Sequence, residues 1–185
     1  MNCLYLHGFA SAFDPNNEKV KSLSKYFKVI PFSYDTSAPY EDNAAAILEK
    51  IDEEDVSLVV GCSLGGFYAL DSMINPKVFG VALNPTFAPR KSLEKYIGSN
   101  QNFKTTKTEI LTADVVESYP KFTSRHPNAL IYIEKGDTVI DPVLSYKFFS
   151  SHVEVVQVDG GSHRFESLAQ QMNKIINAYN TFHGV

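Results

Sequence analysis

The chain has 185 residues, 44% hydrophobic and 21% charged, an ordinary composition for one soluble domain with room for a core. Its formal net charge is −4, from 17 basic against 21 acidic residues, whereas a nucleic-acid binder is usually basic. The start, Met1-Asn2-Cys3-Leu4-Tyr5-Leu6-His7, lacks the basic n-region and apolar core of a signal peptide, no apolar run approaches ~18 residues, and Cys3 and Cys62 make no disulfide framework, so a cytoplasmic protein without a membrane span is expected.

Strands and helices alternate along the chain. Short runs rich in Val, Ile, Leu or Phe read as strands at Cys3–Leu6, Lys28–Pro31, Ser57–Val60, Phe79–Leu83, Ala129–Ile133 and Val153–Val158, each as expected of a strand buried on both faces. Helices fit between and after them at Glu18–Tyr26, Glu41–Ile51, Leu64–Ile74, Pro142–Ser150 and Phe165–Phe182. Ala44, Ile47, Leu48 and Ile51 share one stripe, as do Leu168, Met172, Ile175, Ile176 and Tyr179. Such alternation predicts an α/β domain over residues 1–185, a mostly parallel six-stranded sheet with helices on both faces. From Asn84 to Asn128 the pattern breaks, with no clear strand: Lys91–Ile97 reads as a short helix stopped by Gly98, and Thr112–Ser118 as another helical turn. Long excursions of this kind are usually functional, and residues 85–122 are expected to form a small cap.

Gly61-Cys62-Ser63-Leu64-Gly65 carries the most chemistry. It joins the strand Ser57–Val60 to the helix at Leu64, and a G-x-S-x-G in that context is a nucleophile elbow. Gly61 and Gly65 are required because the turn leaves no room for side chains there. The bare pattern arises by chance in roughly one chain in twenty of this length, so its partners decide the matter. A serine nucleophile needs a base, an acid that orients the base, and oxyanion donors, with the order Ser, acid, His in this architecture. His163, in Gly160-Gly161-Ser162-His163-Arg164, follows the last strand and is the expected base. Asp137, in Gly136-Asp137-Thr138, follows the strand Ala129–Ile133 and is the expected acid. Asp141 competes for that role, but Asp141-Pro142 suits an N-cap with Pro at the first helical position. Cys62 reads as a small buried residue, and Glu53-Glu54-Asp55 as a solvated turn. Arg90, Lys91, Lys95, Lys104 and Lys107 have two readings, a solvated face or contact with an anionic substrate such as an acyl-CoA. Phe87, Tyr96, Ile97 and Phe103 fit an acyl pocket or plain packing equally well. His126, His152 and His183 have no evident partner, and no metal-ligand spacing occurs.

Taken together, Leu4-Tyr5-Leu6-His7-Gly8-Phe9-Ala10-Ser11, Val60-Gly61-Cys62-Ser63-Leu64-Gly65-Gly66, Asn84-Pro85, Gly136-Asp137-Thr138-Val139-Ile140-Asp141 and Gly160-Gly161-Ser162-His163-Arg164-Phe165 resemble the α/β-hydrolase superfamily, and closely its YqiA-like esterases. The resemblance spans nearly the whole chain and departs at Cys62, where those proteins often have Ser, and at Asp141-Pro142. It implies a compact fold lacking the superfamily's first two strands, with strand order 2-1-3-4-5-6. It also implies hydrolysis of a small-molecule carboxylester or thioester through Ser63, Asp137 and His163, without a metal or organic cofactor. The His7-Gly8 turn is expected to aim the Phe9 N–H at the oxyanion beside the Leu64 N–H, with His7 shaping the turn. The alternative is a silent member of the fold that binds a ligand or partner.

Overall fold

The computed structural model describes residues 1–71, 75–122 and 128–185. Along the chain run β1 (Asn2–Leu6), α1 (Glu18–Ser24), β2 (Lys28–Ile30), α2 (Tyr40–Glu53), β3 (Val56–Cys62), α3 (Leu64–Asp71) and β4 (Phe79–Leu83). Then follow α4 (Pro89–Leu93), a 3₁₀ turn (Glu94–Tyr96), β5 (Gly98–Gln101), β6 (Thr108–Leu111), α5 (Ala113–Ser118), β7 (Ala129–Glu134), α6 (Pro142–Phe149), β8 (Glu154–Val158) and α7 (Leu168–His183). The end of the expected helix Leu64–Ile74, beyond Asp71, lies outside the described residues, as does His126.

Six strands form one sheet in the order β2-β1-β3-β4-β7-β8, every pair parallel. This is the expected order. The two-residue period of a strand divides the sheet's side chains between its faces. Cys3, Tyr5, Leu58, Val60 and Cys62 pack with Leu168, Met172 and Ile175 of α7. Leu4, Leu6 and Val59 pack with Ile47 and Ile51 of α2 and with Phe67 and Tyr68 of α3. Both faces of the central strands are thus covered, and β4 and β7 are buried along their full length. The edges differ from expectation. In β8, Glu154 and Gln157 are exposed and the valines only half-buried, because one neighbour is missing and the polar positions turn to water.

A second difference lies in the excursion. β5 and β6 pair antiparallel as a hairpin, with Gly98 opposite Leu111 and Gln101 opposite Thr108. The expectation of no strand there is corrected. Gly98-Ser99-Asn100-Gln101 has no β-branched residue, and its burial alternates between half-buried and exposed, so hydrophobic patterning could not reveal it. Its turn is built by Asn102, whose Oδ1 accepts the N–H groups of Lys104 and Thr105, each at 2.9 Å. The expected turns on either side occur, α5 being capped by Thr112, whose Oγ1 accepts the Val115 N–H. The last helix begins at Leu168 rather than at Phe165, because Phe165 has φ +55°, outside helical space. Among the described residues no helix is long and apolar enough to cross a membrane.

Candidate active site

Ser63 stands between the last residue of β3 and the first of α3 with φ +56°, in the left-handed region. Its two glycines are steric necessities. A Cβ at Gly61 would overlap the Gly65 carbonyl, and one at Gly65 would overlap the Leu6 carbonyl. The Ser63 N–H donates to the Leu83 carbonyl at 3.0 Å, and its own carbonyl accepts the N–H groups of Gly66 (3.0 Å) and Thr86 (3.2 Å). The backbone is therefore held from α3 and from the segment after β4, and only the side chain is left free to act.

His163 lies on the loop after β8. Its Nε2 is 2.9 Å from Ser63 Oγ and its Nδ1 is 2.8 Å from Asp137 Oδ2. An ionised carboxylate only accepts, so Nδ1 carries the ring proton and the Ser63 hydroxyl donates to Nε2. The Asp137 side chain is 2% exposed and the His163 side chain 23%. The other Asp137 oxygen accepts the N–H groups of Val139 (2.8 Å) and Ile140 (3.0 Å), which fixes the carboxylate's plane. Asp141 is occupied elsewhere. Its Oδ1 accepts the N–H groups of Val143 (2.8 Å) and Leu144 (3.1 Å), the N-cap of α6 with Pro142 inside the first turn.

The loop after β1 reaches the same place. A Cβ built on Gly8 would sit 3.5 Å from Ser63 Cβ and 4.0 Å from its Oγ, so the backbone at Gly8 closes one side of the Ser63 side chain. Phe9 and Leu64 flank this contact in sequence. Among the described residues neither of their N–H groups donates to a protein acceptor. His7 is buried and stacks on Tyr34, with ring centroids 4.4 Å apart. Its Nδ1 donates to the Gly8 carbonyl at 2.9 Å, which shapes the turn, and burial lowers its pKa below the ordinary 6.5. Cys62 packs in the core on the α7 side, where burial pushes its thiol up to about 11.

A model of the family described as "Uncharacterised protein family (UPF0227)" matches residues 2–180. The chain belongs to the UPF0227 family. The resemblance to YqiA-like proteins holds at this level. A UPF0227 protein of Serratia proteamaculans (strain 568) is 27% identical over 179 residues, covering 93% of this chain and 95% of that one. UPF0227 protein YcfP of Salmonella arizonae is 25% identical with the same coverage. Among solved structures, Est1E from Butyrivibrio proteoclasticus superposes with a TM-score of 0.69 at 14% identity, covering 96% of this chain and 86% of that one. A monoacylglycerol lipase of Paleococcus ferrophilus gives 0.70 at 14%, covering 98% and 94%. The UPF0227 chain thus has the α/β-hydrolase fold.

Two residues of this UPF0227 site escaped the reading of the sequence as chemistry. Glu134, the last residue of β7, is fully buried. Its carboxylate accepts the N–H groups of Ser162 (2.8 Å), Glu166 (2.9 Å) and Ser167 (2.8 Å), so it clasps both ends of the loop that bears His163. Asn84 completes the clasp. Its Oδ1 accepts the Glu134 N–H at 2.8 Å, and its Nδ2 donates to the Ser162 carbonyl at 2.8 Å. A lone charged residue closing an otherwise apolar strand was the available signal for Glu134. Asn84 was visible only as part of Asn84-Pro85.

The hairpin braces the opposite side of the UPF0227 site. Ala10, next to Phe9, donates its N–H to Thr36 Oγ1 at 3.0 Å and accepts the Phe103 N–H at 2.8 Å. Thr36 Oγ1 in turn donates to Glu109 Oε2 at 3.0 Å. Among the described residues six non-glycines have positive φ: Ser63 itself, Asn84, whose Nδ2 is 3.4 Å from the His163 carbonyl, Phe165, two residues after His163, Ala10, next to Phe9, and Asp55 and Thr106. Strain of this kind is held only where the surroundings over-determine it. Among the described residues the two other histidines sit apart: His152 Nδ1 is 2.9 Å from the Phe148 carbonyl, and His183 Nε2 is 3.3 Å from the Ser57 carbonyl. Among the described residues no cluster of His, Cys, Asp and Glu could hold a metal ion.

Proposed function

We propose that this UPF0227 protein is a serine hydrolase of small or medium acyl esters or thioesters, working through an acyl-enzyme. The observation that carries the reading is the unbroken hydrogen-bond chain from Ser63 Oγ through both nitrogens of His163 to Asp137. The printed descriptions of the structural neighbours, an esterase domain and a monoacylglycerol lipase among them, support the same reading.

His163 Nε2 takes the hydroxyl proton as Ser63 Oγ attacks the substrate carbonyl. The N–H groups of Phe9 and Leu64 stabilise the oxyanion, and Asp137 stabilises the imidazolium while staying ionised. His163 then protonates the leaving alcohol or thiol. Water, activated by the same ring, releases the acid and frees Ser63. Residues 85–122 act as a small cap beside this crevice, with their hairpin holding the Phe9 loop. Both cysteines are free, which suits a reducing compartment such as the cytoplasm.

A fluorophosphonate probe tests this without a guess at the substrate. Labelling of Ser63, read by mass spectrometry and absent in Ser63→Ala, is the expected result. A folded protein that fails to label would overturn the reading and favour a silent, ligand-binding role.

A further inference from the structure

A groove of about 650 Å³ runs between the α4 region and α6. Ser63, Asp137 and His163 do not line it, but two of its lining residues bond to them. Thr86, whose N–H donates to the Ser63 carbonyl, lines it, and so does Ile140, whose N–H donates to Asp137. Its volume lies within the roughly 300–1,000 Å³ typical of small-molecule sites.

The lining combines two chemistries. Phe87 and Phe148, stacked with centroids 5.0 Å apart, and the half-exposed Leu144 are apolar surface open to water. An apolar chain laid on them would remove that surface from solvent. Lys91 and Lys95, the latter with its Nζ 5.1 Å from the Tyr96 ring centroid, line it from the excursion and Lys147 from α6. Among the described residues none of these three ammonium groups has a carboxylate partner. The groove's one carboxylate, Asp141, caps α6 through Oδ1 and keeps its charge, so the lining holds three ammonium groups against one carboxylate. A long amphipathic Lys keeps its stem on an apolar wall and its charge at the rim. The result is an apolar trough with cationic edges on a chain whose net charge is −4.

We infer that this groove takes the acyl chain of the substrate, and that the chain ends in a carboxylate. A phosphate fits less well. Phosphate sites favour arginine forks and free helix N-termini. Among the described lining residues there is no arginine, and the N-terminal amides of α6 are already bonded to Asp141. Three single-point ammonium groups suit a monoanion at the end of a flexible chain. The inference rests on Ser63 as the nucleophile, and the test separates the two.

Binding is measured first, in Ser63→Ala, where turnover plays no part. The probes are monomethyl suberate, an eight-carbon half-ester, and methyl octanoate, its neutral counterpart. Calorimetry at low salt should show the suberate half-ester binding about tenfold more tightly, and the combined Lys91→Gln, Lys95→Gln, Lys147→Gln change should remove the difference, as should 0.5 M salt. In the Ser63 enzyme the same triple change should lower kcat/KM for the p-nitrophenyl half-ester of suberic acid about tenfold more than for p-nitrophenyl octanoate. Equal binding of the two probes, or a preference that survives the triple change, would overturn the groove's assignment whatever Ser63 does. Absence of fluorophosphonate labelling would overturn the nucleophile alone.

Discussion

Glu134 is joined to Ser162 by a hydrogen bond of 2.8 Å between its carboxylate and the Ser162 N–H, one residue before His163. The bond ties the end of β7, which precedes Asp137, to the loop that carries His163. His163 and Asp137 are therefore set relative to each other by a third residue that bonds to neither side chain.

Truncating Glu134 should cost both stability and chemistry. Glu134→Ala leaves three part-buried N–H donors without their acceptors and a cavity in place of a fully buried side chain, for a loss on the order of 2–4 kcal/mol. Glu134→Gln keeps the shape and one acceptor oxygen, and should lose less, about 1–2 kcal/mol. Denaturant midpoints measure this. The positioning role has its own readout: in Glu134→Gln, the rate of fluorophosphonate labelling should fall while KM for a small ester holds. A stability loss with an unchanged labelling rate would reduce Glu134 to a brace of the fold.

The two aspartates near α6 should separate cleanly. Asp137→Asn removes the charge facing the imidazole and should lower turnover by orders of magnitude, ~10⁴ in the best-studied triad. Asp141→Asn should leave turnover within a few-fold, since Asn caps a helix as well as Asp, while Asp141→Ala should cost about 1 kcal/mol of stability. Steady-state kinetics with p-nitrophenyl acetate, with thermal denaturation beside it, distinguishes the two. A large turnover loss in Asp141→Asn would mean the wrong acid had been chosen.

Much of this site was legible because its determinants are local. Gly61 and Gly65 follow from the sterics of one turn, and Asp141 from the Asp-Pro start of a helix. The four inner strands were legible because the sheet buries nearly continuous apolar runs, and the two edge strands from their Val and Ile residues. What stayed hidden depends on distant partners. Glu134 acts on N–H groups 28 to 33 residues away, and nothing in its own neighbourhood announces them. The hairpin Gly98–Leu111 buries only Leu111 in the core and is otherwise held by the polar contacts of Asn102 and Glu109. The late start of α7 follows from Phe165, whose left-handed backbone is held by the Glu134 clasp on either side.

His7 should make stability depend on pH in one direction. Burial lowers its pKa, and its Nε2 has no hydrogen-bond partner among the described residues, so the fold holds the neutral ring. Glu109 raises the pKa and is outweighed by burial. The unfolded chain takes up a proton as pH falls through about 6.5 while the folded chain does not. The contribution of His7 is thus full above about 6.5, declines as pH falls below it, and levels off once the folded ring also protonates. One such proton is worth at most about 1.4 kcal/mol per pH unit. Denaturation of the parent and of His7→Gln at pH 7.5 and 5.5 checks this: the parent should lose more stability than the variant on acidification. Equal losses would show that His7 does not contribute.

Ser63 should be a residue that activity keeps and stability would replace. Its φ of +56° places a Cβ-bearing residue in the left-handed region, at roughly 1–2 kcal/mol. Ala10, Asn84 and Phe165 bear the same conformation around it, so the strain belongs to the site as a whole. Comparing Ser63→Gly with Ser63→Ala isolates the backbone, because both lose the hydroxyl and its bond to His163. Glycine relieves the left-handed strain but gives back about 0.5–1 kcal/mol of unfolded-state entropy. The net expectation is a Ser63→Gly protein more stable than Ser63→Ala by about 0.5–1 kcal/mol, with neither labelled by a fluorophosphonate. Urea midpoints at constant slope decide it. If Ser63→Ala proved the more stable, the elbow would not be storing strain at this residue, and the sharpness of the turn would rest on Gly61 and Gly65 alone.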